Sequence, residues 1–488
     1  MFKRILYSFH RILGTILSIL FLMWFLSGFV MMYHAFPKLT ERDRNAHAQA
    51  LNMQDCQQAD SIIASGLSKP KLNSLELNLH YGHAQITSRS SDSEQQMVCR
   101  NGIWDSVRKP TFAQIRQYAG AWNSAPIIRT DTLHDLEQWI PFGKLRADLP
   151  IYKFYFGDKL HHQLYVSSAT GEALQLTTQD SRFWAWLGPI PHWIYFTKLR
   201  QDVSLWKNMV ITISGIGCVM CLAGIVIGIR SFLISRRKRG TWATPYRRFA
   251  YKWHHLTGFF FGFFVFTFIF SGMMSLADVP TSIVKIHNPK LQEQANSEAS
   301  ITGIEFKADY KQLLADYPKQ VTQIKWMSVG KTPVLQAVVS GSTLMFDASR
   351  NILKPLHMSP AMIKELVQTG TNSCQIDTLY NYDNYYGSPG KQLPLPVYKV
   401  SVKDGDQSVY YVEPATGKLI YYNSNAKVAH WSYQILHRFA LGVLVQHNTL
   451  RLCLLWFALL GGTLVSITGV WLSVRYLQRK LIRKKHNS

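Results

Sequence analysis

The sequence predicts a membrane α-helical bundle of four transmembrane helices, arranged as two parallel repeats, with two α+β domains outside the membrane. Three observations carry that prediction. Four long apolar windows interrupt a chain of 488 residues, basic residues collect in short stretches beside those windows, and the second half of the chain echoes the first.

The windows at 12–33, 209–229, 256–276 and 452–474 each reach the roughly 20 apolar residues needed to cross a bilayer core. The first is too long for a signal-peptide core and no small-x-small site follows before Phe36 and Pro37, so it reads as a retained helix. Lys3, Arg4 and Arg11 flank it, eight basic residues lie between Arg230 and Lys252, and six between Arg475 and Lys485. By the positive-inside rule these three stretches are cytoplasmic and the two polar segments of about 170 residues are periplasmic. The expected organisation is a first helix in 1–35, an outer domain with an interfacial segment over 36–207, a second helix over 208–230, a basic loop over 231–253 and a third helix over 254–277. A second outer domain follows over 278–450, then a fourth helix over 451–475 and a basic tail over 476–488. The net charge of +24 is thus largely topological, phosphate contact with membrane lipid or nucleic acid is the weaker reading, and no nucleic-acid motif accompanies it.

Within the outer segments, 75–86, 152–156 and 163–167 carry strand formers, with Ala169 to Gly171 as a hairpin turn. The second segment has matching strands over 397–402, 408–413 and 418–422, and helices are expected over 111–121 and 310–317. An oxidising compartment permits a Cys56–Cys99 bridge, whereas Cys218 and Cys221 lie in an apolar run and read as packing residues.

The repeat is the most informative feature. HRILGTILSILFLMWFLSGFVMM from His10 aligns without a gap on HHLTGFFFGFFVFTFIFSGMMSL from His254, LYVSSATGEAL from Leu164 on YYVEPATGKLI from Tyr410, and CLAGIVIGIR from Cys221 on SITGVWLSVR from Ser466. The offsets are 244, 246 and 245 residues, and between these anchors His192 falls on His437. Parallel repeats relate by an axis along the membrane normal, so equivalent residues share a depth. His10 and His254 are therefore expected to meet at the cytoplasmic edge, and His192 and His437 at the outer edge.

Paired imidazoles on facing helices suit haem iron, each ligand nitrogen being oriented by a hydrogen bond from the other. A purely interfacial or capping role is the competing reading for each histidine alone. His34 aligns with Asp278 and breaks the symmetry, as a ligand off the axis, a supporting partner or a proton carrier. His255 competes with His254, and His447 with His437. His10 and His34 are 24 residues apart, about 36 Å of helix, the thickness of the membrane. His80, His83, His161, His162, His287 and His357 belong to the outer domains. Trp184, Trp186, Trp193, Trp206 and Trp431 read as an interfacial belt, or else as a wall for a haem edge. Arg200 and Arg438, beside the outer pair, suit haem propionates. The tyrosine-rich run from Tyr380 to Tyr386 reads as an ordinary strand edge.

The residues resemble a known family, the PepSY-associated transmembrane helix proteins, also called iron-regulated or iron-uptake membrane proteins, which include siderophore reductases. The resemblance rests on His10-Arg11-x-x-Gly14, on the stretch from Arg182 to Trp193, on Asp383 to Gly387, Leu393 to Val397 and Tyr411 to Gly417, and on Leu436-His437 with Thr468 to Trp471 and Arg475. It implies two periplasmic PepSY-like domains, four membrane helices and two b-type haems carrying electrons across the inner membrane. The reaction it implies is reduction of a periplasmic ferric siderophore or iron chelate, with release of Fe(II). No flavodoxin-like or dinucleotide module follows Lys485, so a separate cytoplasmic donor or a quinol is the expected electron source. Two rival readings are a non-enzymatic scaffold or inhibitor binding a periplasmic partner, and a transporter for iron or its chelate.

Overall fold

Long runs of Leu, Ile, Phe, Val and Met with no acidic residue can bury their backbone polar groups only by helix formation, and four helices result. They are α1 (Phe2–Met31), α2 (Val203–Arg239), α3 (Phe249–Met274) and α4 (Asn448–His486). All four are long and apolar enough to cross a membrane. This is a computed structural model that describes residues 2–486 apart from 68, 70, 91–92, 101–102, 107, 290–299 and 368–372. The helices outrun the apolar windows: α2 continues through the cluster Arg236 to Arg239 and stops at Gly240, whose φ of 69° is a left-handed cap.

α1 packs against α4 and α2, and α3 packs against the same two neighbours. Small residues bring the helices close. A Cβ on Gly462 of α4 would stand 2.2 Å from the Phe25 ring of α1, and one on Gly461 would stand 2.0 Å from the Phe261 ring of α3. Phe25, Phe268, Leu455 and Ala458 fill the centre of the bundle, together with Cys218 and Cys221, both buried as packing residues.

The outer segments fold as mixed α/β structure. The first contributes β1 (Leu72–His80), β2 (His83–Ser90), β3 (Glu94–Arg100) and β4 (Ile103–Ser106), then β5 (Ile127–Leu133), β6 (Ile151–Phe156), β7 (Gln163–Ser167) and β8 (Ala173–Thr177). The second contributes β9 (Val321–Val329), β10 (Thr332–Val339), β11 (Ser342–Asp347) and β12 (Lys354–Pro355), then β13 (Cys374–Leu379), β14 (Val397–Val402), β15 (Val409–Val412) and β16 (Leu419–Tyr422). Where 75–86 was expected to form one strand, Tyr81 and Gly82 take positive φ and turn it into the β1–β2 hairpin.

The two outer segments are not separate bodies, as the sequence had implied. β1 pairs with β9, giving one eight-stranded sheet in the order β12-β11-β10-β9-β1-β2-β3-β4. In this register Leu75 and Leu77 face Trp326 and Ile324 across the seam, all buried, and Glu76 lies opposite Lys325. Such pairing removes two strand edges at once. Cys56 and Cys99 both lie in the core beneath this sheet. The remaining strands form two four-stranded meanders, β5-β6-β7-β8 and β13-β14-β15-β16.

Each meander leads into a segment that turns back onto the helices. After β8 come short helices Gln179–Leu187 and Pro189–Trp193; after β16 come Ser424–His430, a π-helical turn Trp431–Ile435 and Leu436–Arg438. Pro189–Trp193 packs on α1 and Leu436–Arg438 on α3. Replacing Gly461 by leucine should overpack the α3–α4 contact at a cost of about 1–3 kcal/mol. A lowered thermal midpoint of the detergent-solubilised protein is the expected reading, and an unchanged midpoint would contradict this packing.

Candidate functional site

The four histidines aligned by the two halves form two couples. His10 of α1 and His254 of α3 have ring centroids 6.3 Å apart, and His192 and His437 have centroids 6.1 Å apart. His192 reaches Trp24, about 10 Å inside the end of α1.

The hydrogen bonds determine what each ring offers. His10 Nδ1 lies 3.1 Å from the carbonyl of Met220, and His192 Nδ1 lies 3.2 Å from the carbonyl of Trp24 and 3.1 Å from Ser27 Oγ. A carbonyl only accepts, so these Nδ1 atoms carry the proton. His254 Nδ1 meets Thr468 Oγ1 at 3.0 Å, and His437 Nδ1 meets Ser271 Oγ at 3.0 Å. Both hydroxyls already donate to carbonyls of their own helices, Thr468 to Leu464 and Val465, Ser271 to Thr267 and Phe268. They therefore accept from the imidazoles. All four rings are assigned the Nδ1–H tautomer, which leaves a lone pair on each Nε2. Among the described residues no hydrogen bond engages any of the four Nε2 atoms. Burial also pushes His192 and His437, which lie outside the four long helices, below the ordinary imidazole range, so both are neutral.

Gly224 makes room for the His10 ring, and glycines flank the other three rings at ordinary contact distance. A Cβ on Gly224 would stand 2.6 Å from His10 Cε1, and Cβ atoms on Gly469 and Gly272 would stand 3.6 Å from His254 Cε1 and His437 Cε1. Gly28 faces His192 at 4.0 Å. Two residues after each outer histidine the chain turns sharply through a non-glycine residue in the left-handed region, Ile194 at φ 54° and Phe439 at φ 52°. For a branched side chain such as Ile194 this conformation is strained, and strain of this kind clusters at functional sites.

A cavity of about 380 Å³ adjoins the outer couple, lined by His192, His437, Trp24, Phe268 and others. Its walls differ. Trp206 Nε1 donates to the Trp193 carbonyl at 2.8 Å on one side, and Arg451 Nη1 donates to the Arg438 carbonyl at 3.1 Å on the other. Trp193 and Arg438, like Trp206 and Arg451, are 245 residues apart, so one bond recurs with aromatic rings on one side and guanidinium groups on the other. Arg451 is 7 % exposed, and both arginines line the cavity.

Other sequence-predicted candidates lie elsewhere. His34 stacks on Trp184 with centroids 4.3 Å apart and joins neither couple. His255 has both nitrogens engaged, Nδ1 with Thr244 Oγ1 and Nε2 with the Gly228 carbonyl, so it holds the basic loop and offers no lone pair. His447 is exposed. Arg200 is enclosed by Phe142, Tyr195 and Trp206, with its guanidinium 4.4 Å from the Trp206 ring, behind the cavity wall. Trp193 and Trp206 belong to the cavity, whereas Trp186 and Trp431 are exposed. Sequence reasoning missed Arg451, Ser27, Ser271 and Thr468 as site residues. The aligned Ser-Gly pairs were the available signal for the two serines.

The family model described as the PepSY-associated TM region matches residues 75–362, which is 288 of the 488 residues. The chain belongs to the PepSY-associated TM region family. It is a multi-pass membrane protein, and the matched part of this PepSY-associated chain contains His192 and His254, while His10 and His437 lie outside it. No curated protein matches the chain.

Two imidazoles bound to opposite faces of one metal, through nitrogens about 2 Å away, hold their centroids about 6 Å apart. Both couples have this spacing, a free Nε2 on every ring and an anchored Nδ1 behind it, so the residues fit a bis-imidazole metal group at each level. In cofactor-free protein, diethyl pyrocarbonate should modify His192 and His437 while leaving His255 unmodified. Mass mapping that found His255 equally reactive would contradict the assigned hydrogen bonds.

Proposed function

We propose that this PepSY-associated protein is a di-haem b oxidoreductase of the bacterial inner membrane. In this reading it is a duplicated unit with both termini cytoplasmic and its sheets periplasmic, and it passes electrons outward to reduce a ferric siderophore or related iron chelate. The observation that supports it best is the pair of imidazole couples, each with ring centroids about 6 Å apart and with Nε2 atoms that no hydrogen bond engages among the described residues. His10 with His254, and His192 with His437, would hold the two haems. When bound, haem supplies one-electron redox chemistry.

The chain's own contribution is orientation and electrostatics. The Met220 and Trp24 carbonyls and the Thr468 and Ser271 hydroxyls fix ring direction and make each Nε2 the stronger donor. Phe25, Phe268 and Leu459 keep water from the bundle centre between the two levels. From His10 to Ser27, which anchors His192, is about 25 Å along α1, so the two couples stand at opposite depths of one membrane-spanning path. Arg438 and Arg451 would meet haem propionates on the α4 side of the outer cavity. Fe(III) is held by hard oxygen ligands in such chelates, and an added electron weakens that match so that iron can leave as Fe(II). The electron donor is a cytoplasmic reductase or quinol in this reading.

A pyridine haemochrome assay should find two haems b in the wild type. Single alanine substitutions of His10 or His254 should each remove one, and those of His192 or His437 the other; full retention in all four variants would end this reading. Arg451→Met removes a buried positive charge that favours the reduced state. The midpoint potential of the outer group alone should therefore fall by an amount on the order of tens of millivolts. A spectroelectrochemical titration with both potentials unchanged would remove Arg451 from the site.

A further inference from the structure

Away from the cavity, both meander sheets adjoin the same carboxylate–lysine–tyrosine cluster. In the first, Glu137 Oε1 accepts from Lys153 Nζ at 2.7 Å and from the Tyr165 hydroxyl. In the second, Asp383 Oδ2 accepts from Lys399 Nζ at 2.9 Å and from the Tyr411 hydroxyl at 2.7 Å. Carboxylate, lysine and tyrosine are each 246 residues from their counterparts. Lys153 is 6 % exposed and both tyrosines are fully buried. A cationic side chain so enclosed is retained only with a partner, and here the partner sits at the mouth of a loop and not on the sheet.

That loop runs to the histidine. Gln138, next to Glu137, donates through Nε2 to the Tyr195 carbonyl at 2.6 Å and accepts from Thr197 Oγ1 at 3.0 Å. Asn384, next to Asp383, accepts through Oδ1 from the Gly442 N–H at 3.1 Å. Thr197 lies five residues after His192 and Gly442 five after His437. The approach is close on both sides: a Cβ on Gly143 would stand 2.2 Å from the Gln201 carbonyl oxygen, and one on Gly442 would stand 2.8 Å from the backbone of Tyr382 and Asp383. The second loop also holds Arg438, whose Nη2 donates to the Pro389 carbonyl at 3.0 Å. Burial alone would raise the Asp383 carboxyl, but Lys399, the backbone N–H groups of Tyr385 and Tyr386 and the Tyr411 hydroxyl outweigh it and hold it below the usual range.

We propose that Glu137 and Asp383 are positioning residues, each clamping its sheet's loop onto the strained turn behind one outer histidine, so that each sheet sets the placement of its own imidazole. The proposal takes its functional meaning from the haem reading, but the clamps themselves are testable without haem. They also couple each outer sheet to one imidazole of the outer couple, so that a displacement of one sheet would act on its own imidazole.

The test is hydrogen–deuterium exchange on the full chain in nanodiscs, comparing wild type with Glu137→Gln, Asp383→Asn and the conservative Asp383→Glu. Loss of one charge-assisted hydrogen bond should speed exchange in its own turn by roughly tenfold. Asp383→Asn should thus loosen 430–445 and leave 188–200 unchanged, Glu137→Gln should do the reverse, and Asp383→Glu, which installs the carboxylate used by the other sheet, should restore protection. Unchanged exchange in both turns, or equal loosening of both turns and of the strands, would overturn the proposal. On the same samples, the low-spin absorption and electron paramagnetic resonance signature should broaden for the outer group only. A wild type without any haem signature would defeat the haem reading while the exchange result still decides the clamps.

Discussion

The arrangement depends on one constraint: each of four imidazoles gives its Nδ1 proton to an oxygen on a bundle helix. A backbone carbonyl inside a helix is already engaged with its own N–H four residues on, yet retains a second lone pair, and a serine or threonine that donates back to its own helix presents an accepting oxygen. Met220, Trp24, Ser27, Ser271 and Thr468 use these two devices. Once Nδ1 is committed, Nε2 is the nitrogen that each ring keeps free. The small residues opposite the rings, the near approach of α4 to its neighbours and the folded-back outer segments all serve that commitment, since a displaced ring would leave a buried N–H without an acceptor.

Within this regular frame, the two walls of the outer cavity differ where it matters electrostatically. The same backbone bond is made by Trp206 on one side and by Arg451 on the other. A pair of indoles excludes water and offers polarizable faces, whereas two guanidinium groups in a shielded setting demand an anion. The frame thus repeats one backbone bond on both sides, and its departure from regularity leaves one wall aromatic and the other cationic.

Much of the helix bundle was legible because apolar length is a strong signal, and the couples were legible because aligned histidines in parallel halves must share a depth. The strands over 152–156, 163–167 and 397–402 also followed from local alternation. Other features were not legible for definable reasons. The packing of Pro189–Trp193 on α1 was not legible, because an aromatic-rich composition does not say which helix a segment meets. The β1–β9 seam joins residues some 250 positions apart, beyond the reach of any local pattern. Arg451 was hidden because its aligned partner is a tryptophan, so comparing the halves for identity passed over it. His255 looked equivalent to His254 until its two nitrogens were seen to be occupied.

The seam between β1 and β9 bears on how the protein is made. When β1 to β4 have left the ribosome, the edge that β9 will occupy is bare, and Leu75 and Leu77 beside it have no Trp326 or Ile324 to meet. At ordinary elongation rates the missing strand follows after some ten to fifty seconds. Throughout that interval the nascent chain displays an open, apolar border of the kind that recruits stray strands. Tethering of that border to a membrane by α1 and α2, which holds it apart from other copies, would be its protection until the second half arrives.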